Sequence, residues 1–377
     1  MREHAGAPVS AGIEASPATA TDRRPTHGER IRVGIIGATG YVGAELIRLL
    51  SRHPDVEIVG LQGRERDGDP IGTPHAHLSG TGLRVERSLP PSDAVFLALP
   101  HGTAAAIVAD ISAAGTTVID LGPDFRLRNA ADYPRWYGFE HPRANLLDAA
   151  VYGLPEIHRA ELQALRTAGQ AIVGAPGCYP TATILALAPL ARAGLIGDLV
   201  VDAKSGVSGA GRDPKPDMMF GEVNESMKAY GIGGHRHVAE IEQELAGIGA
   251  AAGTTNPGAV AVDFLPHLVP MTRGILSAGH VRPTRATSQA ELDELYAAAY
   301  EGEPFVTVVQ AAPATKHVLG SNHARVSVHH DPRTGRILAI GVIDNLVKGA
   351  AGQAIQAFNL VHGLPETAGL EQLPLAP

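Results

Sequence analysis

Three glycines spaced three residues apart follow a short apolar segment near the start of the chain, and they restrict the fold more than any other feature. Residues 31–36 form a largely apolar run typical of a buried parallel strand, and Gly37, Gly40 and Gly43 follow it. Apolar residues then recur at helical spacing up to Leu50. Such a turn lets backbone N–H groups approach a pyrophosphate at the helix N-terminus, although it also occurs without a ligand.

Strands and helices keep alternating after this turn. Further strands are predicted at 57–61, 94–99 and 118–121. This alternation is typical of an α/β fold with a Rossmann-type, doubly wound parallel sheet. A final helix is predicted at 350–360.

The pattern changes after Cys178, where a helix at 181–192 is followed by strands with few helices between them. These strands are predicted at 199–203, 259–265, 275–281, 305–310, 325–329 and 337–343. The clearest helix among them is predicted at 290–300. Few crossover helices favour a second α+β domain with a mixed or antiparallel sheet.

Composition excludes several classes of protein. The 377 residues are enough for two domains, and 44% of them are hydrophobic. A net charge of −8 without a basic block argues against nucleic acid or a membrane surface as partner. No apolar run is long enough for a transmembrane helix. Residues 1–29 are rich in Ala, Pro, Thr and charge, which predicts a disordered tail.

Cys178 is the single cysteine, which excludes an internal disulfide and a cysteine zinc site and favours a reducing compartment, the cytoplasm. It lies between a predicted strand at 171–174 and the helix that follows, and Pro180 suits a first helical turn. The positive end of this helix would lower the pKa of the thiol and favour the nucleophilic thiolate. The alternative is a small buried apolar side chain.

Two histidines, His235 and His237, lie where another helix is predicted to begin. A histidine there could take a proton from a thiol and later return it. The alternatives are ordinary surface or core residues, or a metal site. The spacing lacks a helical H-E-x-x-H motif and a carboxylate cluster, so no metal is expected.

Three charged or glycine-rich loops are further candidates for ligand binding. Arg64 follows the second strand, where an NAD site usually has an acidic residue, so it favours the 2′-phosphate of NADP; Glu65 beside it leaves a solvated loop as the alternative. Arg126 follows a later strand end and could bind a phosphate group, or form a surface ion pair. Residues 205–212 are rich in glycine and could wrap a ligand, or be merely flexible.

Six motifs in consistent order, from about Ile31 to the C-terminus, make the chain resemble the N-acetyl-γ-glutamyl-phosphate reductase family, part of the semialdehyde dehydrogenase superfamily. They are GATGYVG at 37–43, LPHG at 99–102, DFRL at 124–127, PGCYPT at 176–181, HRH at 235–237 and DNLVKG at 344–349. The resemblance implies NADPH-dependent reduction of an acyl phosphate to an aldehyde in arginine biosynthesis, through a thioester on the cysteine. Backbone N–H groups at the start of the Cys178 helix would then stabilise the oxyanion.

The resemblance also implies a domain division and a set of site residues. An NADP-binding domain at 30–177, completed by 345–377, would hold a catalytic and oligomerisation domain at 178–344. Cys178 would be the nucleophile and His237 the acid/base, with His235 beside it; Arg126 and His235 would contact the substrate. The implied cofactor-binding residues are Gly37, Thr39, Gly40, Tyr41, Val42, Arg64, Leu99, Pro100, Ser208, Gly209 and Asn345.

Other functions share these motifs. The same chemistry on an aminoadipyl or glutamyl phosphate linked to an acidic carrier protein would call for a basic rim, but Arg212, Lys215 and Lys228 are interleaved with acidic residues. Aspartate-semialdehyde dehydrogenases fit the HRH and GCYP context less well. A non-catalytic NADP sensor would lack the nucleophile or the base. A free small-molecule substrate and a homodimer or homotetramer are therefore expected.

Overall fold

The computed structural model describes residues 29–65, 67–113, 115–254 and 260–375, so the predicted disordered tail lies outside the described residues except for Glu29. The helices are α1 (Tyr41–Leu50), α2 (Ala104–Ala113), α3 (Asp132–Tyr137), α4 (Pro155–Ala164), α5 (Cys178–Arg192), α6 (Phe220–Val223), α7 (His237–Ala251), α8 (Gln289–Ala299) and α9 (Gly352–His362). The strands are β1 (Ile31–Ile36), β2 (Val56–Gln62), β3 (Ala94–Leu97), β4 (Thr117–Asp120), β5 (Ala150–Tyr152), β6 (Ile172–Gly174), β7 (Ile196–Ser205), β8 (Lys228–Ala229), β9 (Val262–Leu268), β10 (Ile275–Pro283), β11 (Val306–Val308), β12 (Ala324–Asp331) and β13 (Arg336–Ile343).

The first sheet has the order β2-β1-β3-β4-β6-β5, and every neighbouring pair is parallel. This confirms the predicted doubly wound fold. Helix α9 packs into the core of this sheet, where the ring of Phe358 lies 5.6 Å from that of Phe96. The C-terminal segment therefore contributes to the hydrophobic core of the first sheet although it follows the second sheet in sequence.

The second sheet has the order β11-β12-β13-β10-β7-β9-β8 and mixes parallel with antiparallel pairs, as predicted. Helix α5 packs closely on one face because two strand glycines leave room for it. A Cβ atom at Gly279 would lie 2.9 Å from the side chain of Leu187, and one at Gly341 only 2.5 Å from the carbonyl oxygen of Ala182. The helix that begins at Cys178 thus packs on one face of the second sheet.

Several boundaries differ from the sequence prediction. Helix α5 begins at residue 178 rather than 181, because the N–H groups of a first turn need no helical partner and Pro180 is tolerated there. The final helix is preceded by a π-helical turn, Val347–Ala351, a local widening that apolar periodicity does not reveal. Strand β5 is too short for a periodic signal. Among the described residues, no helix is long and apolar enough to cross a membrane.

Candidate active site

Cys178 is the first residue of α5, just beyond the carboxyl end of β6 in the first sheet. The residue is partly exposed. Gly349, from the motif before α9, packs directly against it: a Cβ atom at Gly349 would lie 2.8 Å from the Cβ of Cys178. The PGCYPT and DNLVKG motifs, about 170 residues apart in sequence, therefore meet at the thiol.

The expected lowering of the thiol pKa is wrong. Burial of the sulfur raises the pKa of Cys178 above its ordinary value. The guanidinium of Arg126, the backbone N–H of Tyr179 and the guanidinium of Arg236 act in the predicted direction, but Glu240 opposes them. The helix N-terminus is present, and the dense packing around the thiol outweighs it.

His237 begins α7, and its ring packs against the residue before the cysteine. A Cβ atom at Gly177 would lie 2.6 Å from Nε2 of His237, so only glycine permits this approach. The ring of His235 lies 4.8 Å from that of His237, and its Nδ1 accepts a hydrogen bond from the backbone N–H of His237 at 3.2 Å. The structure therefore brings together the thiol segment and both predicted histidines.

The electrostatic surroundings keep both imidazoles neutral near pH 7. Burial, reinforced by the neighbouring His235, Arg126, Arg236 and His101, lowers the pKa of His237 well below its ordinary value. Burial and the adjacent Arg236 lower the pKa of His235 to about 4. A neutral imidazole beside a thiol can accept its proton.

A carboxylate that sequence reasoning missed organises this region. Glu240 is fully buried, and it accepts hydrogen bonds from the backbone N–H of Gly177 at 2.9 Å, from Tyr152 Oη at 3.0 Å and from Tyr137 Oη at 3.2 Å. Its Oε1 also lies 4.0 Å from Nε2 of His237. The only signal in the sequence is its position three residues after His237, which puts both on one helix face.

Arg126 lies behind the cysteine segment and is almost fully buried. Its Nε donates to the carbonyl of Ala175 at 2.8 Å, its Nη2 to that of Leu121 at 2.8 Å, and its Nη1 to Glu240 at 3.2 Å. These contacts make it a support of the segment that leads to Cys178. The substrate contact expected of Arg126 stays a prediction.

The glycine turn after β1 has the shape that a dinucleotide requires. Gly37 has a φ of +85°, and a Cβ atom there would lie 2.2 Å from the carbonyl oxygen of Ala98, beside the predicted cofactor residues Leu99 and Pro100. A Cβ at Gly43 would lie 2.3 Å from the carbonyl oxygen of Gly37. No side chain caps α1 at Gly40, so its first N–H groups are available to a pyrophosphate.

Thr39, Tyr41 and Val42 occupy different environments around this turn. Thr39 is buried, and its carbonyl accepts hydrogen bonds from His75 Nε2 at 2.9 Å and from Arg212 Nη1 at 3.2 Å. Val42 packs partly buried against the core of the first sheet. Tyr41 is exposed beside a cleft of about 500 Å³ between α1 and the loop that carries Arg273.

Three predicted cofactor residues from distant parts of the chain meet beside this cleft. Nδ2 of Asn345 donates to Oγ of Ser208 at 2.9 Å, and its Oδ1 accepts from the backbone N–H of Gly274 at 2.8 Å. A Cβ atom at Gly209 would lie 3.9 Å from the same Nδ2. Residues 205–212 are therefore not simply a flexible loop, since most of them form a tight turn that is hydrogen-bonded to Asn345.

Arg64 lies on the other side of the glycine turn, and its exposed side chain binds Asp213 of the second domain at 3.1 Å. Arg212 lies 3.7 Å from Glu65 as well as bonding to Thr39. Two arginines, one from each domain, thus flank the end of β2, where the adenosine ribose of a dinucleotide is held in this fold.

The two regions matched by family models follow the two sheets. The semialdehyde dehydrogenase NAD-binding domain matches residues 32–165, and the semialdehyde dehydrogenase dimerisation domain matches residues 178–345. A curated relative named N-acetyl-gamma-glutamyl-phosphate reductase, from Heliobacterium modesticaldum, is 48% identical over 92% of this chain and all of its own length. The chain belongs to the N-acetyl-gamma-glutamyl-phosphate reductase family. It is therefore an oxidoreductase with a nicotinamide-nucleotide-binding domain.

Other reductases of this family are equally similar. The reductase of Desulforudis audaxviator is 49% identical over 90% of this chain and 98% of its own length. The reductase of Rhodospirillum rubrum is 46% identical over 93% of this chain and 99% of its own length. Solved aspartate semialdehyde dehydrogenases share the fold. One from Candida albicans with NADP superposes with a TM-score of 0.66 at 17% identity, over 90% of this chain and 99% of its own. Another, from Vibrio cholerae, superposes with a TM-score of 0.64 at 20% identity, over 89% of this chain and 98% of its own.

Proposed function

We propose that this reductase converts N-acetyl-L-glutamyl 5-phosphate into N-acetyl-L-glutamate 5-semialdehyde and phosphate, with NADPH as reductant. The observation that carries the proposal is the position of Cys178 at the N-terminus of α5, next to the Gly177–His237 contact. Full-length relatives carrying the name of this activity support the choice of substrate.

The first half of the reaction uses the thiol and the neutral imidazole. His237 takes the proton from Cys178, and the thiolate attacks the acyl carbon of the substrate. The bond from that carbon to the phosphate oxygen breaks, phosphate leaves, and the acyl group remains as a thioester on Cys178. The N–H of Tyr179 lies at the start of α5, among the backbone donors that support the oxyanion.

The second half returns the proton. The glycine turn and the Ser208–Asn345 pair would hold a nicotinamide cofactor, which would supply hydride to the thioester carbon. The tetrahedral thiohemiacetal then collapses as its carbon–sulfur bond breaks. His237 gives its proton to the leaving sulfur, which restores the neutral thiol and imidazole and releases the aldehyde.

NADP, rather than NAD, is part of this proposal. Arg64 and Arg212 put two positive charges beside the end of β2, where the 2′-phosphate distinguishes the two cofactors. The cytoplasm is the proposed location because the reaction needs a reduced thiol.

A homodimer is the proposed assembly, and the uncovered face of the second sheet is its proposed surface. Val200, His280 and Leu338 lie side by side in register on the face opposite α5, with Ala278 and Ile340 in the next row. These five residues are only partly buried, and four of them are apolar, although Asp202 lies in register beside Ala278. The match of residues 178–345 to a dimerisation domain supports a second copy of the chain as the occupant. Light scattering on wild type and Ile340→Glu would test it, with loss of the dimer expected.

The phosphate-dependent reverse reaction, followed at 340 nm, tests the proposed activity. N-acetylglutamate semialdehyde, N-acetylaminoadipate semialdehyde and aspartate semialdehyde would be compared, each with NADP and NAD. A strong preference for the first aldehyde with NADP is expected. Failure on all three free aldehydes, with NADPH still binding, would favour a carrier-linked substrate, and failure of cofactor binding would contradict the proposal altogether.

A further inference from the structure

Arg236 stands between the two catalytic histidines in sequence, and its charge has no counterion among the described residues. Its side chain is exposed, and its Nη1 lies 3.2 Å from Nδ1 of His101 in the loop after β3. No carboxylate of the described residues comes within ion-pair distance of this guanidinium, which makes no other hydrogen bond to them. Its Nε and Nη2 are therefore free to bind a ligand.

Arg236 directly precedes His237, whose ring packs against Gly177, the residue before the thiol. The guanidinium groups of Arg126 and Arg236 both lower the pKa of Cys178, so both lie within electrostatic reach of the sulfur. The N–H groups of Arg126 donate to two carbonyl oxygens and to Glu240. Among the described residues, Arg236 hydrogen-bonds only to His101, a neutral histidine. Partial burial and the positive charge of Arg126 lower the pKa of Arg236.

The histidines around Arg236 are neutral near pH 7 and supply no negative charge to it. Burial and Arg236 lower the pKa of His101 to about 4, and burial and Arg236 do the same to His235. Nδ1 of His237, in a side chain more than nine-tenths buried, has no hydrogen-bond partner among the described residues. A negatively charged group placed here would pair the free guanidinium and relieve this concentration of positive charge.

We propose that Arg236, with His101 beside it, is the anion-binding residue that holds a phosphoryl or carboxylate group of the substrate next to Cys178. Its planar fork of N–H donors matches either group with two parallel hydrogen bonds. The identity of the substrate rests on the proposed function, but the existence of the anion site does not. Because Arg236 immediately precedes His237, the first residue of α7, binding the anion also aligns the reacting carbon with the acid/base.

Protection of the thiol by inorganic phosphate tests the site without any substrate or cofactor. Alkylation of Cys178 by iodoacetamide would be timed with and without phosphate in wild type, Arg236→Gln and Arg236→Lys. Arg285→Gln is the matched control, since Arg285 forms an exposed ion pair with Glu291 and takes no part in the contacts around Cys178 described above. Phosphate is expected to slow alkylation in wild type and the control, but not in Arg236→Gln.

The reverse reaction separates the two possible anions. If Arg236 holds the phosphoryl group, Arg236→Gln raises the KM for phosphate by about tenfold to a hundredfold, with KM for the aldehyde nearly unchanged. If it holds a carboxylate of the substrate, the KM for the aldehyde rises by that factor instead. Arg236→Lys keeps the charge and should recover part of the loss.

Equal phosphate protection and unchanged KM values for both ligands in a folded Arg236→Gln protein would overturn the proposal. Circular dichroism and thermal unfolding establish folding of each variant. A protein that shows Arg236-dependent protection but oxidises none of the three aldehydes would retain the anion site and refute the proposed substrate. The two failures are thus distinguishable.

Discussion

Glu240 accepts a hydrogen bond from the backbone N–H of Gly177 at 2.9 Å, so a buried carboxylate on α7 holds the residue that precedes Cys178. The same carboxylate binds Arg126, Tyr137 and Tyr152, and it lies one helical turn after His237. The segment before Cys178 and the helix turn that carries His237 are therefore supported by one carboxylate. Burial and Glu240 raise the pKa of both tyrosines well above 10, so their hydroxyls stay protonated as donors.

Substitution of this carboxylate should impair catalysis and shift the titration of the thiol. Glu240→Gln keeps the size of the side chain but replaces one acceptor oxygen with an NH2 group. This group would face hydrogen-bond donors, since Gly177, Arg126 and the two tyrosines all donate to Glu240. We therefore expect kcat to fall by about tenfold or more. The negative charge of Glu240 raises the pKa of Cys178, so its removal should move the pH profile of iodoacetamide alkylation to lower pH. Glu294→Gln on exposed α8 is the control. An unshifted alkylation profile would show that Glu240 has only a structural role.

The contact between Gly349 and Cys178 predicts a selective loss of turnover. Gly349→Ala puts a methyl group where a Cβ would lie 2.8 Å from that of the cysteine, and such overpacking costs about 1–3 kcal/mol. The displaced thiol should lower kcat at least tenfold while the affinity for NADPH stays within a few-fold. Gly169→Ala, in open space, is the matched control. Equal kcat values for the two variants would disprove a close contact at the thiol.

Cofactor preference should depend on the Arg64–Asp213 pair. Arg64→Gln removes a cation beside the proposed 2′-phosphate site, so we expect the Kd for NADPH to rise about tenfold while that for NADH barely changes. Asp213→Asn frees Arg64 from its partner and should leave NADPH binding equal or tighter. Fluorescence titration measures both. Equal losses for NADPH and NADH would exclude Arg64 from recognition of the 2′-phosphate.

Asp120 should make stability depend on pH. Its burial, with the nearby charge of Asp124, raises the pKa of this carboxyl to about 7, whereas in the unfolded chain it titrates near 4. Between these values the folded protein holds a proton that the unfolded chain has released. This contribution to stability is therefore present below pH 4 and lost as the pH rises to 7.

Asp120→Asn removes this dependence. The free energy of unfolding of the variant minus that of wild type should be larger, in the stabilising direction, by about 2–4 kcal/mol at pH 8 than at pH 5. Urea denaturation at both pH values gives the difference, with exposed Asp263→Asn as control. The account of Asp120 fails if the difference is the same at pH 5 and pH 8.

The sequence predicts both sheets and the meeting of thiol and histidines because each rests on a local pattern. Strands end in glycine or proline at the sheet edge, and the motifs lie in the loops that follow. Contacts between distant residues are beyond such patterns. Glu240 is an ordinary acidic residue in a helix until Gly177, Arg126 and two tyrosines surround it.

Burial of charged side chains is equally hidden in the sequence. Lysine side chains are usually exposed, yet that of Lys348 is inaccessible to solvent and its Nζ lies 2.5 Å from Glu156. The pKa of Cys178 is set by packing around the sulfur rather than by the helix N-terminus alone. Such effects depend on how many atoms exclude water from a group, which spacing along the chain does not encode.

Intact-mass spectrometry of the enzyme, mixed with acyl phosphate and no cofactor, would detect a covalent intermediate on Cys178. We expect release of phosphate together with one N-acetylglutamyl adduct, which peptide mapping places on Cys178 and which disappears when NADPH is added. Cys178→Ser should form no thioester and lose turnover while binding NADPH within a few-fold of wild type. Full turnover in that variant, or an adduct on another residue, would contradict a covalent intermediate on Cys178.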